Sequence, residues 1–314
     1  MERPARTSGR LAVADQDAVA HAGPPPEAGP PLAEASEAAL PATETAAQGL
    51  VPAAGRALQL ARSALVDLLP PVAALMTAAG IWEAWVRLRD VPEYLVPAPS
   101  AVVTRMAGDP AFFAGEGLIT LQGALAGFGL GSGVAIILAI LMAHSRLLER
   151  SIFPLAILVK VTPIIAIAPL LAIWFGFGLM PKVFIAGLIV FFPVMVNGLL
   201  GFRSVDPGAL EFLQSLAASR LEVFLKLRVP SALPYLFAAF KVSIPLSVIG
   251  AVVAEWFSGE RGLGRVIQVA NNNLDLDTAF GAVFSLAILG IGLYLLTATL
   301  ERRLLFWHES TTGV

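Results

Sequence analysis

Six stretches of mostly apolar residues follow one another along the chain, with shorter polar stretches between them. Each stretch is about as long as the ~20 residues that a helix needs to cross the hydrocarbon core of a bilayer. This pattern predicts an all-α, polytopic membrane protein with about six transmembrane helices. The predicted spans cover residues 66–86, 116–142, 152–176, 181–201, 231–257 and 279–300.

Two of the predicted spans contain unusual residues. Asp67 and a pair of adjacent prolines interrupt the first span. The second span has Gly123, Gly127 and Gly131 at four-residue spacing, with two further glycines close by. Small residues at this spacing let helix backbones approach closely in lipid, so we expect a tight helix pair. A phosphate-binding loop is disfavoured, because no strand precedes the glycines and no Lys-Ser/Thr pair follows them.

The composition supports a membrane protein and gives no sign of an enzyme. Hydrophobic residues make up 57% of the chain and charged residues 14%, whereas soluble domains have about 25% charged residues. The absence of cysteine excludes disulfides, thiolate metal sites and cysteine nucleophiles. No Walker A sequence, metal cluster or nucleophile–base pair is recognisable. We therefore expect no catalytic residue, no metal and no cofactor, and the net charge of −2 does not favour nucleic acid.

Residues 1 to about 60 are rich in alanine, proline and glutamate, and the first aromatic residue of the chain is Trp82. Such a segment cannot bury enough apolar surface to offset the loss of chain entropy. We predict a disordered tail without the features of a signal peptide, followed by a membrane domain over 61–308 and a short C-terminal tail over 309–314. A regulatory role of the N-terminal tail and a tolerated extension both remain open.

The placement of lysine and arginine predicts the orientation in the membrane, since cytoplasmic loops carry an excess of both. With the N-terminus in the cytoplasm, both termini and the 202–230 loop face the cytoplasm. The basic residues on the inside are then Arg56, Arg62, Arg146, Arg150, Arg203, Arg220, Lys226, Arg228, Arg302 and Arg303. Those on the outside are Arg87, Arg89, Arg105, Lys182, Arg261 and Arg265.

The polar stretch over residues 206–230 predicts two short helices with a tight joint. Asp206 followed by proline is a helix start, with a capping side chain and a proline at the first helical position. Ser219 and Glu222 form a capping box, so a second helix begins near residue 220. It should end near Val229, because proline disfavours helical backbone in the residue before it. Apolar residues occupy one face of each helix: Phe212, Leu213 and Leu216, and then Leu221, Phe224 and Leu225.

Two interpretations of this helix pair remain open from the residues alone. The pair could be an amphipathic hairpin that lies on the membrane surface. It could also be a projection of defined shape that inserts into a cleft of a cytoplasmic partner.

The same stretch resembles the EAA loop of ABC-importer permeases, whose pattern is Glu-Ala-Ala, three residues, Gly, nine residues and Ile-x-Leu-Pro. Glu211 matches the glutamate of the pattern, and Ala217 replaces its glycine. Phe212 and Leu213 replace the two alanines, and 227–230 aligns with the final Ile-x-Leu-Pro.

Further runs along residues 82–308 look like the nitrate/sulfonate/taurine-type permease subfamily. They occur in the order and spacing expected for that subfamily. The runs are WFGFGLMPK (174–182), FFPVMVNGLLGFRSVDP (191–207), GAVVAEWFSGERGLG (250–264), NNNLD (271–275) and LERRLLFWH (300–308).

This resemblance implies a type I ABC permease core of about six helices, with cytoplasmic coupling helices. It also implies two permease chains around one pore, two ATP-hydrolysing subunits, and an extracytoplasmic substrate-binding protein. The coupling helices would dock in a groove of each ATPase and transmit its closure to the pore. The residues that the resemblance assigns to ATPase coupling are Glu211, Leu216, Ala217, Ala218, Ser219, Arg220, Phe224 and Pro230.

Alanine at position 217 removes the freedom of glycine to take positive φ at the joint. We therefore expect either an ordinary helical joint or a different angle between the two helices. Phe212 and Leu213 are bulkier than alanine, so the matching groove of the ATPase should be wider.

Several polar residues within the spans are candidates for a translocation path or gate, since an ionisable residue in a span is often functional. Lys160 and Lys241 lie toward the cytoplasmic ends, so snorkelling, pairing at a gate and contact with substrate all remain open. Glu255, near the outer end of its span, is expected either to pair with an outside cation such as Arg261 or to line the entrance. The remaining candidates are Thr162, Asn197, Ser243 and Ser247, which could equally hold helices together. Pro163, Pro169 and Pro245 predict kinks that could act as hinges.

Two other functions compete with the importer permease. One is the coupling subunit of ECF-type vitamin importers, which carries Ala-Arg-small triplets on long helices. The other is a secondary transporter, which would usually show inverted repeats and paired intramembrane acids. The resembled subfamily handles nitrate, sulfonates, taurine, thiamine-precursor pyrimidines and riboflavin-like compounds. The sequence does not select one of these substrates, and a homodimer is expected because one chain contains a complete coupling loop.

Overall fold

The computed structural model describes the backbone of residues 53–305 and the side chains of residues 69–305. Every regular element in this part of the chain is helical. Residues 1–52 of the expected N-terminal tail lie outside the described residues. The expected end of this tail near residue 60 falls within the first helix, which begins at Ala53. The expected C-terminal tail also lies outside the described residues. The helices are α1 (Ala53–Leu88), α2 (Pro99–Gly108), α3 (Pro110–His144), α4 (Arg146–Val161), α5 (Ile164–Phe175), α6 (Leu179–Arg203), α7 (Pro207–Ser215), α8 (Arg220–Val223), α9 (Val229–Ser258), α10 (Leu263–Asn272) and α11 (Leu276–Leu304), with a π-helical segment Phe224–Arg228 between α8 and α9.

Five apolar helical segments long enough to cross a membrane match five of the six predicted spans. They are Leu69–Leu88, α3, α6, the continuous Arg220–Ser258 segment and α11. The chain is thus an all-α, polytopic membrane protein, as the hydropathy pattern predicts.

The prediction of one continuous span over 152–176 is wrong. Residues 146–175 form two helices, α4 and α5, which meet at an angle of 95°. Thr162 and Pro163 between them have extended backbone, because the ring of Pro163 disfavours helical backbone in the preceding residue. The predicted break at Pro163 is therefore much sharper than a kink. The α-helix continues through Pro169 in α5 and through Pro245 in α9.

Helix α6 lies at the centre of the membrane domain and packs against α3 and α9. The largest apolar core joins Ala135 and Met142 of α3 to Val194 and Met195 of α6 and to Leu236 of α9. A second core joins α5 to α6 and α9. Helix α1 contacts α11 through Trp82, whose ring centre lies 5.6 Å from that of Phe280.

The glycines of α3 make the predicted close helix contact. A Cβ atom at Gly127 would lie 2.5 Å from the Cβ of Ala186, and one at Gly131 would lie 2.4 Å from the carbonyl oxygen of Gly187. The backbones of α3 and α6 therefore touch along this face, as the four-residue spacing predicts. In contrast, a Cβ at Gly129 would meet no atom within 4 Å.

Candidate functional site

Helix α7 begins where the sequence predicts. The side chain of Asp206 accepts hydrogen bonds from the backbone N–H groups of Gly208 and Ala209, at 3.4 Å and 3.0 Å. Pro207 occupies the first turn, where its missing N–H costs nothing. None of the side chains of α7 is buried, so this helix projects from the rest of the membrane domain.

The joint between α7 and α8 is not an ordinary helical joint, in contrast to the first expectation stated for Ala217. This residue has φ of +54°, in the left-handed region. The N–H of Ala218 donates to the carbonyl of Leu213 at 3.0 Å, and that of Ala217 donates to the carbonyl of Gln214 at 2.9 Å. This pair of bonds is the Schellman motif, which usually has glycine in the left-handed position. Ala217 thus adopts the glycine conformation without being glycine, at a cost of about 1–2 kcal/mol.

Helix α8 begins at Arg220, three residues after Ala217, with the predicted capping box. The N–H of Glu222 donates to the hydroxyl oxygen of Ser219 at 3.3 Å, and the N–H of Ser219 donates to the Glu222 carboxylate at 2.9 Å. The two caps and the short joint therefore fix the direction of α8 relative to α7.

The prediction that the second helix ends near Val229 is wrong, because α8 continues through the π-helical segment into α9. In this segment the N–H of Val229 donates to the carbonyl of Phe224, five residues earlier. The wider π turn accommodates Pro230 at the start of α9, because Pro230 lacks an N–H and its ring would clash with the carbonyl four residues earlier in an α-helix. A displacement of α8 would therefore be transmitted directly to α9, which packs against α6.

Phe224 holds the helix pair against the membrane domain. Its ring stacks on that of Phe202 of α6 at 6.0 Å between centres, and it lies 5.6 Å from the ring of His144 of α3. Of the residues predicted on one face of the second helix, Phe224 therefore faces inward. Leu221 and Leu225 face outward, with 65% and 56% of their surfaces exposed.

Four large apolar side chains are exposed on the helix pair. We call this surface the α7–α8 apolar face, and its members are Phe212, Leu216, Leu221 and Leu225. Glu211 and Arg220 are exposed beside it. An exposed apolar patch with a polar edge is typical of a protein–protein contact site or a membrane contact site.

A second cluster lies at the other end of α9, around the buried carboxylate of Glu255. The ammonium of Lys182 lies 2.9 Å from this carboxylate, which also accepts from the hydroxyl of Thr120 at 3.0 Å and from the N–H of Gly264 at 2.7 Å. Glu255 is fully buried, and only 3% of the surface of Lys182 is exposed. The buried charge pair joins α6 to α9 and has further hydrogen-bonding partners on α3 and α10.

Glu255 pairs with a cation predicted on the outside, as one of the two expectations states, but that cation is Lys182 and not Arg261. Arg261 instead pairs with Glu116 of α3, at 2.8 Å between Nη2 and Oε1. The N–H of Gly262 donates to the same carboxylate, and the carbonyl of Arg261 accepts from Lys182 at 2.8 Å. These bonds fix the loop between α9 and α10 onto the end of the helix bundle.

Gly262 is required at its position in this loop. Its φ is +122°, and a Cβ there would lie 2.0 Å from a carboxylate oxygen of Glu255. Lys182 and Glu116 are not among the site residues predicted from the sequence, because both lie close to the ends of predicted spans. The available signal was the presence of a lysine and two glutamates at the same ends of three predicted spans.

The remaining candidate path residues lie in different places. Lys241 of α9 pairs with Glu301 of α11 at 2.8 Å. Ser247 and Ser243 are fully buried within the bundle; the hydroxyl of Ser247 donates to its own helix, and that of Ser243 has no hydrogen-bond partner among residues 69–305. Thr162 is exposed at the bend between α4 and α5 and donates to its own helix.

Two of the candidate path residues, Lys160 and Asn197, line the same pocket. This pocket has a volume of about 420 Å³ and lies between α4, α5 and α6. The 95° bend breaks the predicted span over 152–176, so the expected position of Lys160 near a cytoplasmic span end does not follow from that span.

Comparisons with known proteins identify the family to which this fold and this helix pair belong. The family described as "Binding-protein-dependent transport system inner membrane component" matches residues 131–306. The match covers more than half of the chain, and the chain therefore belongs to this family. It is a permease component of a binding-protein-dependent ABC importer for small solutes, and a multi-pass inner-membrane protein.

The curated relatives show which subfamily of permeases the chain resembles. The chain is 35% identical to a riboflavin transport system permease protein of Chloroflexus aurantiacus, over 75% of this chain and 89% of that protein. It is 32% identical to a formylaminopyrimidine transport permease protein of Halalkalibacterium halodurans, over 77% of this chain and 96% of that protein. It is also 32% identical to the taurine transport system permease protein of Escherichia coli, over 58% of this chain and 64% of that protein. These relatives confirm the resemblance to the nitrate/sulfonate/taurine-type subfamily and favour neither the ECF subunit nor the secondary transporter.

Proposed function

We propose that this chain forms half of the pore of an ATP-driven importer and that the α7–α8 apolar face docks in a groove of a partner ATPase. The observation that carries this proposal is the defined shape of the helix pair. Two capped helices with a fixed joint present four exposed apolar side chains, whereas Phe224 anchors the pair to α3 and α6. An amphipathic hairpin on a membrane surface would not need a joint of fixed angle.

The connection from α8 to α9 supports a coupling role. The Arg220–Ser258 segment has 39 residues, and α9 packs against α6 at the centre of the bundle. Closure of the ATPases would displace α8, and α9 would carry that displacement into the pore. ATP hydrolysis belongs to the partner in this scheme.

We place α7, α8 and both termini in the cytoplasm. The basic residues assigned to the outside include Lys182, but this residue lies in α6 and is buried against Glu255. Without Lys182, the count of basic residues outside is smaller, and the excess on the cytoplasmic side, on which the orientation is based, is larger. The loop between α9 and α10 then faces the outside, where a substrate-binding protein would deliver its cargo.

The proposed assembly contains two copies of this chain, two ATPase subunits and one extracytoplasmic substrate-binding protein. A homodimer is proposed because a single chain supplies a complete helix pair for each ATPase. The proposed cargo is a small polar or anionic solute. The names of the relatives cover riboflavin, formylaminopyrimidine, aliphatic sulfonates and taurine.

The exposed joint at Ala217 allows a sharp test of the docking. Asparagine and aspartate tolerate left-handed backbone better than alanine does, so Ala217→Asp adds a charge to the interface without disturbing the joint. We expect Ala217→Asp to insert normally and to lose ATP-dependent uptake by at least tenfold, since an unpaired charge would be desolvated on docking. Ala217→Asn is the matched neutral control and should retain most of the uptake.

The measurement is uptake by cells or vesicles that contain the complete importer, with the membrane level of each variant determined by immunoblot. Wild-type uptake by Ala217→Asp, at equal membrane level, would show that the α7–α8 pair does not dock through this surface.

A further inference from the structure

The pocket between α4, α5 and α6 has a polar side and an apolar side. The polar side is formed by Lys160 of α4 and Asn197 of α6. The apolar side includes Val159, Ile164 and Phe192. The pocket lies beside the 95° bend between α4 and α5, and both of these helices line it together with α6.

Lys160 differs from the other two lysines within the helical spans. Lys182 is paired with Glu255, and Lys241 is paired with Glu301. Among residues 69–305, no carboxylate lies within 4 Å of the Lys160 ammonium, which instead lies 4.5 Å from the centre of the Phe192 ring. The charge of Lys160 is thus stabilised by an aromatic face and not by an anion of the described chain.

The position of Phe192 shows where the Lys160 ammonium lies along the length of α6. Phe192 is near the midpoint of α6, which has 25 residues and is therefore about 37 Å long. The Lys160 ammonium lies beside this midpoint, far from either end of the helix. A charge at this depth is costly in hydrocarbon, so this face of the protein borders a polar path or a protein surface and not lipid.

We propose that this pocket is a contact site for the transported solute and that the solute is a singly charged organic anion. Its sulfonate or carboxylate oxygens would accept hydrogen bonds from the Lys160 ammonium and from Asn197. Asn197 donates one amide hydrogen to the carbonyl of Pro193 at 2.8 Å, which leaves the second hydrogen for the solute. The apolar body of the solute would lie against Phe192 and Ile164. This inference rests on the proposed importer function.

The charge of the site favours an anion over a neutral heterocycle. A neutral solute would displace water from around the ammonium without compensating its charge, which is unfavourable at this depth. An anion with two negative charges would have only one of them compensated by Lys160, and the second charge would be desolvated without a partner. One cation together with one amide donor therefore fits one oxyanion group.

The test measures uptake by proteoliposomes that contain this chain, its ATPase and its binding protein. The probes are radiolabelled ethanesulfonate and benzoate as organic anions, and riboflavin and formylaminopyrimidine as neutral heterocycles. We expect uptake of an anionic probe by the wild type. Lys160→Met, which keeps the length and removes the charge, should lower uptake at low probe concentration by about tenfold or more. Lys160→Arg should restore most of this loss, whereas a role in packing alone would be served by methionine.

ATP hydrolysis stimulated by the binding protein is measured on the same preparations, and it separates this inference from the proposed function. Loss of uptake with stimulated hydrolysis retained is the expected result for Lys160→Met. Wild-type uptake by Lys160→Met, uptake of neutral probes only, or uptake of none of the four probes would overturn the inference. In each of these cases, stimulation of hydrolysis by the binding protein and its loss in Ala217→Asp would still support the proposed function.

Discussion

At Ala217 the local sequence and the observed backbone conflict, because alanine occupies a left-handed position that favours glycine. The two hydrogen bonds of the Schellman motif and the caps on both sides hold this alanine at φ of +54°. Backbone strain of this kind persists where the surrounding structure determines the conformation. The shape of the α7–α8 joint is therefore preserved although the residue that normally permits it is absent.

Replacing Ala217 by glycine should relieve this strain. We expect Ala217→Gly to stabilise the protein by about 0.5–1 kcal/mol, since the relief of left-handed strain exceeds the added entropy of the unfolded chain. Thermal unfolding in detergent, followed by tryptophan fluorescence, measures the change. Ala218→Gly is the matched control: this neighbouring residue does not have positive φ, so the glycine should destabilise the protein. A lower unfolding temperature for Ala217→Gly than for the wild type would contradict the strained joint.

Single residues also show where sequence reasoning reaches its limit. The caps at Asp206 and Ser219 are predicted correctly because each depends on partners two or three residues away. The pairing of Lys182 with Glu255 joins residues 73 positions apart, at the ends of two different predicted spans, and no local pattern relates them. Only the packing of α3, α6 and α9 brings these charges together, so a choice between Lys182 and Arg261 as the partner of Glu255 requires the structure.

At the scale of helices, the contact between α3 and α6 depends on which glycines face the partner. Gly131→Ala should destabilise the protein by about 1–3 kcal/mol, because its Cβ would overlap the backbone of Gly187 and the helices would have to separate. Gly129→Ala is the matched control on the same helix. It points into open space, so it should be neutral or stabilising by up to about 1 kcal/mol through helix propensity. The same unfolding measurement compares both variants, and equal effects at the two positions would argue against the close contact.

Five of the six predicted spans follow from the sequence, because each is long and apolar enough to be recognised without its neighbours. The breaks within helices do not follow as reliably. Pro163 turns the chain by 95°, whereas α9 continues through Pro245 with no comparable break. At Pro230 a π-helical turn keeps the helical segment continuous, and the local sequence pattern does not predict this turn. The outcome at each proline depends on what the helix packs against, which a single sequence does not reveal.

At the scale of the whole molecule, the two clusters lie at opposite ends of one long helical segment. The α7–α8 apolar face precedes α9, and the Lys182–Glu255 cluster holds the far end of α9 to α3 and α6. A fixed end and an exposed end are the arrangement that the proposed coupling to a cytoplasmic ATPase requires. The pocket at Lys160 lies beside the middle of α6, between these two ends.

The most direct test of this arrangement uses site-specific crosslinking, which the absence of cysteine from the chain makes simple. Leu221→Cys places one thiol on the α7–α8 apolar face, and Leu274→Cys places one on an exposed residue before α11, at the other end of the bundle. Each variant is labelled with a thiol-reactive benzophenone in native membranes and irradiated, and the products are identified by mass spectrometry. We expect the label at residue 221 to capture an ATP-hydrolysing subunit and the label at residue 274 not to capture it. Capture of that subunit from residue 274 instead, or from neither position, would contradict the docking of the ATPase on α7 and α8.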